Sequence, residues 1–204
     1  MEENTLNMLA GKPYRPDTEE LGRLSKQGHR LSFEYNQLPD TERARRQEIL
    51  DQLFPDHGEG LYLQGPIQVD YGPFTHFGKN VYANFNLTIL DTCPIKVGNN
   101  VMFGPNVSLV TPLHPLLAEQ RNLRVQDDGK VADYEFGAPI TIGDNCWLAS
   151  NVTVCPGVTI GNNCVIGAGS VVVSDIPDNS LVVGVPGKVV RKITEKDRLQ
   201  NFPY

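Results

Sequence analysis

A six-residue period runs through the second half of this chain. Aliphatic side chains recur at Ile142, Leu148, Val154, Ile160, Ile166 and Val172. A small or β-branched residue stands four places after each, at Cys146, Val152, Val158, Cys164, Ser170 and Ile176. Gly143, Ala149, Gly161 and Gly167 follow four of the aliphatics. A helix would space its apolar contacts by about 3.6 residues and a half-buried strand by 2, so neither accounts for the pattern. Hexapeptide repetition describes a parallel β-helix, an all-β solenoid in which each unit forms one side of a triangular coil. Three units close one turn, which predicts that residues 18 apart stack, as Cys146 and Cys164 would.

The pattern continues toward the N-terminus in shifted frames. Val97, Phe103 and Leu109 hold one frame, with Val101, Val107 and Leu113 four places on. Phe77, Ala83 and Ile89 hold another, with Val81, Leu87 and Cys93. The two-residue slip between Ile89 and Val97 predicts a bulged corner near Asp91–Pro94. From Leu109 to Ile142 the spacing is 33, not a multiple of six, so residues 111–138 are read as a loop projecting from the coil.

The flanks differ from the repeats. Residues 1–56 are charged and carry helix signals. Pro39-Asp40-Thr41 offers an N-cap, and Ala44, Ile49, Leu50, Leu53 and Phe54 supply an apolar stripe ending at Pro55. Glu19–Leu24 predicts a shorter helix. This segment is expected to cap the open end of the coil, since a solenoid needs its terminal repeat covered. Residues 57–182 form the coil with its loop. Residues 183–204 form a tail in which Thr194 and Asp197 read as a capping box opening a short helix.

Bulk properties narrow the function. A net charge of −6 over 204 residues disfavours a nucleic-acid partner. The absence of an 18-residue apolar run excludes a membrane-spanning helix. Glu2, Glu3, Lys12, Arg15, Asp17, Glu19 and Glu20 leave no room for a secretory signal of the usual form, so a cytoplasmic location is expected. Cys93, Cys146 and Cys164 occupy small interior positions and read as buried hydrophobes, and Cys155 is not assigned. No Cys/His spacing suggests a metal site.

Among four histidines, His29 and His57 have no partner motif, and His76 precedes a solenoid aliphatic. His114 differs. It stands in Thr111-Pro112-Leu113-His114-Pro115, where the chain leaves the coil and two prolines constrain the backbone. An imidazole held at the root of a loop suits a general base, with a structural histidine as the rival reading.

Several stretches resemble the maltose/galactoside O-acetyltransferases of the hexapeptide-repeat acyltransferase superfamily. They are Met8-Leu-Ala-Gly-Lys-Pro-Tyr14 with Asp17, Asp70-Tyr-Gly72, Tyr82-Ala-Asn-Phe-Asn86, Gly157–Gly161 leading to Ile166–Ser170, and Gly184–Arg191. The resemblance, nearer the maltose type, implies a left-handed coil and transfer of acetyl from acetyl-CoA to a sugar hydroxyl. It also implies a homotrimer with active sites between subunits. His114 matches the catalytic base, which would act by direct transfer without a covalent enzyme intermediate. Asn84 matches an acceptor-binding asparagine beside that histidine, and Asp17 and Asp70 match acceptor-binding positions. For acetyl-CoA, Ser150 and Ala168 match backbone contacts to pantetheine, with the Ser150 N–H as an oxyanion donor. Trp147 matches an aromatic beside that arm. Lys188 and Arg191 match cations that meet the CoA phosphates.

The chain departs from the pattern in three places. Thr92 stands where galactoside-type members carry an acidic acceptor contact, and hydrogen bonding is the role left to it. Val173, followed by Ser174, stands where a threonine often meets CoA, so the backbone there is expected to serve. The loop after His114 is longer and carries Arg121, Arg124, Asp127, Asp128 and Lys130. The alternative within the superfamily is an acetyltransferase for another hydroxyl acceptor such as an antibiotic or serine. A zinc hydratase on the same coil would need a third histidine in the solenoid, and an ice-binding solenoid would need ranks of threonines.

Overall fold

A computed structural model describes residues 1–200. The hexapeptides wind into a three-sided parallel solenoid. The first face stacks Thr75–Phe77, Ile95–Val97, Ile140–Ile142 and Thr159–Ile160. The second stacks Tyr62–Leu63, Tyr82–Ala83, Met102–Phe103, Trp147–Leu148, Val165–Ile166 and Ser180–Val183, and Lys188–Lys192 adds antiparallel at its end. The third stacks Ile67–Val69, Leu87–Leu90, Ser108–Val110, Thr153–Val154 and Val171–Val172. Inward residues alternate with outward ones, so Leu63, Ala83, Phe103, Leu148, Ile166 and Val182 form one continuous buried column. Removing such a column from water is the main favourable contribution to the fold, at about 25 cal/mol per Å² of apolar surface.

The turn length is not constant. Stacked residues are 18 apart only where the hexapeptides are regular, as at Asn145 and Asn163. In the early coils they are 20 apart, as at Asn80 and Asn100, and in the last coil 16, as at Asn163 and Asn179. The two additional residues of the early coils sit at the corner between the third and first faces. There the buried Asp91 carboxylate accepts the N–H of Tyr71 and of Gly72, each at 2.9 Å, and the Thr75 hydroxyl at 3.2 Å. The bulged corner is thus held by a carboxylate that bridges two successive coils. The corner between the first and second faces is held by Asn80, Asn100, Asn145, Asn163 and Asn179, all at positive φ. Asparagine tolerates that left-handed backbone, and each side-chain amide bonds the next along the ladder.

The helices depart from expectation in detail. Besides α1 (Glu3–Leu9), the segment expected to form a short helix is the 19-residue α2, Glu19–Gln37. Its Gly28 lies against the corner backbone, where a Cβ would come within 2.8 Å of the carbonyl oxygens of Asp70 and Tyr71. The third helix, α3 (Arg43–Leu53), receives no side-chain cap from Asp40. Asp40 instead pairs with Arg46, which takes the buried position that Ala44 was expected to hold. The Arg46 guanidinium bonds the carbonyls of Leu63 at 2.9 Å and Gln64 at 2.7 Å and lies 4.4 Å from the Tyr35 ring centroid. It satisfies carbonyls at the open end of the coil that have no further strand to meet. At the other end, Thr194 and Asp197 do form a capping box, but it opens one 3₁₀ turn, Glu195–Asp197, in place of a helix. All four cysteines are free, with Cys155 half-buried and the others buried.

The loop leaves after Thr111 and returns at Ala138, whose N–H donates to the Thr111 carbonyl at 3.0 Å. Pro112–Leu113 pairs antiparallel with Phe136–Gly137, and a small hairpin, Arg124–Val125 with Val131–Ala132, stands beyond.

Candidate active site

The loop root orders the groups around His114. Leu113 pairs with Phe136, so His114 and Glu135, each one residue beyond its strand, follow on opposite sides of the antiparallel pair. The donor atoms of His114, Asp133 and Glu135 all lie within 4.8 Å of one another. Glu135 is fixed from behind. Its Oε2 accepts the Tyr14 hydroxyl at 2.6 Å, and the Tyr14 and Glu135 backbones exchange hydrogen bonds at 2.9 and 3.1 Å. Burial, then the neighbouring carboxylate, raises the Tyr14 phenol far above its ordinary range, so it stays a donor. Glu135 was not anticipated from sequence, although Tyr14 lies in the quoted N-terminal motif. Their pairing joins residues 121 apart and leaves no local pattern. The imidazoles of His29, His57 and His76 each face a carboxylate, at Asp70, Asp51 and Asp56. His114 is exposed and forms no hydrogen bond among the described residues.

Asp70 and Thr92 occupy the same edge of the prism as His114. Asp70 is half-buried, 4.0 Å from His29, and its carboxyl is raised by desolvation. Thr92 is 2% exposed, so little of its side chain faces solvent on one chain. Asp17 is exposed but engaged. Arg15 grips both carboxylate oxygens, at 2.9 and 2.7 Å, and reaches Asp128 of the loop at 2.7 Å. The guanidinium holds the Asp17 carboxyl below its usual range. A hollow of about 520 Å³ lies beside the loop root, walled by Pro13, Pro115, Arg124, Tyr134 and Glu135 among others.

A second set of residues lies elsewhere. Asn84, Ser150 and Ala168 share the corner between the second and third faces. Asn84 is therefore not beside His114 on the same chain. Its Oδ1 accepts the Phe85 N–H at 2.8 Å, which leaves the amide NH₂ as the group it can present. Among the described residues, the N–H groups of Ser150 and Ala168 meet no protein acceptor. Gly104 permits the close approach of coils here, since a Cβ would lie 2.7 Å from the Ser150 nitrogen. Trp147 projects from the adjoining second face, 47% exposed. Lys188 is exposed with no ion-pair partner among the described residues, whereas Arg191 is held by both oxygens of Asp197, at 2.9 and 2.6 Å. Val173 and Ser174 are exposed and lie on the His114 edge, beyond the loop. One chain thus carries an imidazole edge and, across a face, an edge of unpaired N–H groups.

Comparison with known proteins gives the same architecture. Residues 7–58 match the maltose acetyltransferase hexapeptide capping motif, and residues 139–174 match the bacterial transferase hexapeptide, six repeats. The chain is 40% identical over 198 residues to a galactoside O-acetyltransferase of Escherichia coli strain K12, covering 97% of this chain and 93% of that one. It is 40% identical over 185 residues to a galactoside O-acetyltransferase of Lactococcus lactis, with coverages of 90% and 85%. A crystal structure of a maltose O-acetyltransferase from Clostridium difficile 630 superposes with a TM-score of 0.87 at 40% identity, covering 95% of this chain and 99% of that chain. A galactoside acetyltransferase in complex with coenzyme A superposes with a TM-score of 0.88 at 37% identity, covering 100% and 97%. The coil is accordingly a left-handed parallel β-helix.

Proposed function

The chain belongs to the maltose/galactoside O-acetyltransferase family, whose members are acetyl-CoA-dependent, and from that premise we propose that it moves acetyl from acetyl-CoA to a hydroxyl of a sugar. The observation that carries the mechanism is the separation of the two edges. A site containing both the imidazole and the unpaired N–H groups needs two chains, with the His114 edge of one set against the Asn84, Trp147 and Ser150 edge of the next. A closed ring of three satisfies this with equivalent contacts and walls each site on both sides.

In this arrangement the His114 imidazole takes the proton of the acceptor hydroxyl as its oxygen attacks the thioester carbonyl. The tetrahedral oxyanion meets the Ser150 N–H, a donor already in place before charge develops. Collapse breaks the carbon–sulfur bond, the acetyl ester leaves on the sugar, and the imidazolium returns its proton to the CoA sulfur. Glu135 is a positioning residue: fixed by Tyr14, it orients the imidazole and stabilises its charged form. The Asp70 and Asp17 carboxylates accept from the sugar hydroxyls, and the Asn84 NH₂ donates to them. Lys188 meets the CoA phosphates, with Arg191 available on release from Asp197.

Complementation tests this reading. His114→Ala and Asn84→Ala chains are each nearly inactive alone. When co-expressed, every mixed trimer has one site with both residues intact, so random assembly restores about a quarter of the wild-type rate of acetyl-CoA thiol release with maltose or glucose. No restoration, with mixed trimers shown to form, places the site within one chain and defeats the proposal. An acceptor series of maltose, glucose, galactosides, serine and chloramphenicol then separates a sugar enzyme from one acting on another hydroxyl compound.

A further inference from the structure

The groups around His114 have a second chemistry. His114, Asp133 and Glu135 bring one nitrogen and two carboxylate oxygens within 4.8 Å of one another. All three stand at the loop root, which is tied by the Pro112–Leu113 and Phe136–Gly137 pairing and by the Tyr14 bridge. Asp133 is half-buried, yet it has no hydrogen bond and no ion pair among the described residues. Neither Asp133 nor Glu135 has a cation within 4.0 Å among those residues, although they face each other with like charge. A cation between them would relieve that repulsion.

We propose that His114, Asp133 and Glu135 form a binding site for a zinc-type divalent transition-metal ion, which blocks acetyl transfer by occupying the imidazole. The inhibitory part rests on the reading of His114 as the base; the binding part does not. The donor set selects the ion. An imidazole with two carboxylates suits zinc and its transition-metal neighbours, whereas magnesium and calcium favour all-oxygen sites. Zinc takes nitrogen and oxygen donors at about 2.0–2.2 Å, so tetrahedral partners lie about 3.4 Å apart. The donors lie within 4.8 Å of one another, so each pair needs to close by at most about 1.4 Å, which takes adjustment of the exposed His114 ring as well as of the unpartnered Asp133 side chain. Glu135 keeps one oxygen on the Tyr14 hydroxyl and offers the other, so that hydroxyl orients the ligand without competing for the metal. The ion then holds the ring nitrogen lone pair that the acceptor proton requires, and the acceptor hydroxyl loses its base.

The test uses the intact assembly, stripped with chelator, and zinc chloride as the probe. Calorimetry is expected to show one zinc per chain, weakened at least tenfold in Asp133→Asn and lost in His114→Ala. Thiol-release assays are expected to show inhibition that acceptor relieves and that EDTA reverses. Asp133→Asn is expected to keep the wild-type melting temperature and, measured against its own metal-free rate, to need at least tenfold more zinc for half-inhibition. Cobalt(II) gives an independent readout: a visible ligand-field spectrum without a thiolate charge-transfer band, diminished in Asp133→Asn. Zinc that binds wild type and Asp133→Asn alike, a thiolate band, or bound zinc that leaves activity intact each overturns the proposal. Failure of the acetyl-transfer reading would show separately, as no transfer by the metal-free enzyme.

Discussion

The Arg15 guanidinium bonds Asp128 at 2.7 Å and so ties the hairpin of the projecting loop to the N-terminal segment. The same guanidinium grips both oxygens of Asp17. Loop, arginine and the proposed acceptor carboxylate are therefore linked by one guanidinium. An exposed ion pair contributes little to global stability, so Asp128→Ala should leave the melting temperature within about 2 °C of wild type. It should raise KM for the sugar several-fold, because Arg15 and Asp17 lose a fixed position, while KM for acetyl-CoA stays unchanged. Steady-state kinetics with each substrate varied in turn distinguish the two. Equal changes in both KM values would show that the loop does not act through the acceptor.

His114→Ala should lower kcat by about 10²–10⁴, the ordinary contribution of a positioned base. Acetyl-CoA affinity should stay close to wild type, since Trp147, Ser150 and Lys188, proposed to hold the cofactor, lie away from the His114 edge. Glu135→Gln should fall between the two, because the amide keeps the volume but loses the charge that steadies an imidazolium. A His114→Ala enzyme with wild-type kcat would remove the proposed base.

The regular hexapeptides from Ile142 to Val172 were legible because each buried residue recurs at fixed spacing and the backbone has one way to satisfy it. The same holds for the loop bounds, where the count from Leu109 to Ile142 fails the period. The early coils were less legible. Their two additional residues are accommodated by Asp91, whose bonds to Tyr71, Gly72 and Thr75 cross from one coil to the next. The length of α2 was hidden because Gly22 and Gly28 weaken the local helix signal, and Gly28 is needed for contact with a corner 42 residues away. Glu135 was hidden for a related reason. Its position opposite His114 follows from antiparallel pairing across the whole loop, which no short window contains.

The buried Asp91 gives the fold a specific pH response. Burial raises its carboxyl from 3.8 to about 6, against the opposing donors. The folded chain holds this proton more tightly than the unfolded chain. The associated stabilisation is full below about pH 4 and is lost as the pH rises through about 6, an effect of about 3 kcal/mol at most. Comparing wild type with Asp91→Asn cancels the other titrating groups. The stability of wild type relative to the variant, from urea unfolding, should therefore fall by up to about 3 kcal/mol between pH 4 and pH 7.5. A difference independent of pH would mean that Asp91 titrates alike in both states.

The second face carries an outward rank of Tyr62, Tyr82, Met102 and Trp147, exposed by 40, 36, 51 and 47% and in register from coil to coil. The Tyr62 and Tyr82 rings stack with centroids 6.0 Å apart. An aligned apolar rank adjoining an edge of unpaired N–H groups is what the proposed subunit contact requires. Met102 points away from the column of buried aliphatics, so Met102→Glu should leave the coil folded, with an unchanged far-ultraviolet dichroism spectrum. Placed against a neighbouring subunit, the carboxylate would be desolvated without a partner, at a cost of several kcal/mol. Sedimentation should then find monomer in place of trimer, and acetyl transfer should fall with it because each site has lost half of its residues. A variant that sediments as a trimer with full activity would place the subunit contact on another face.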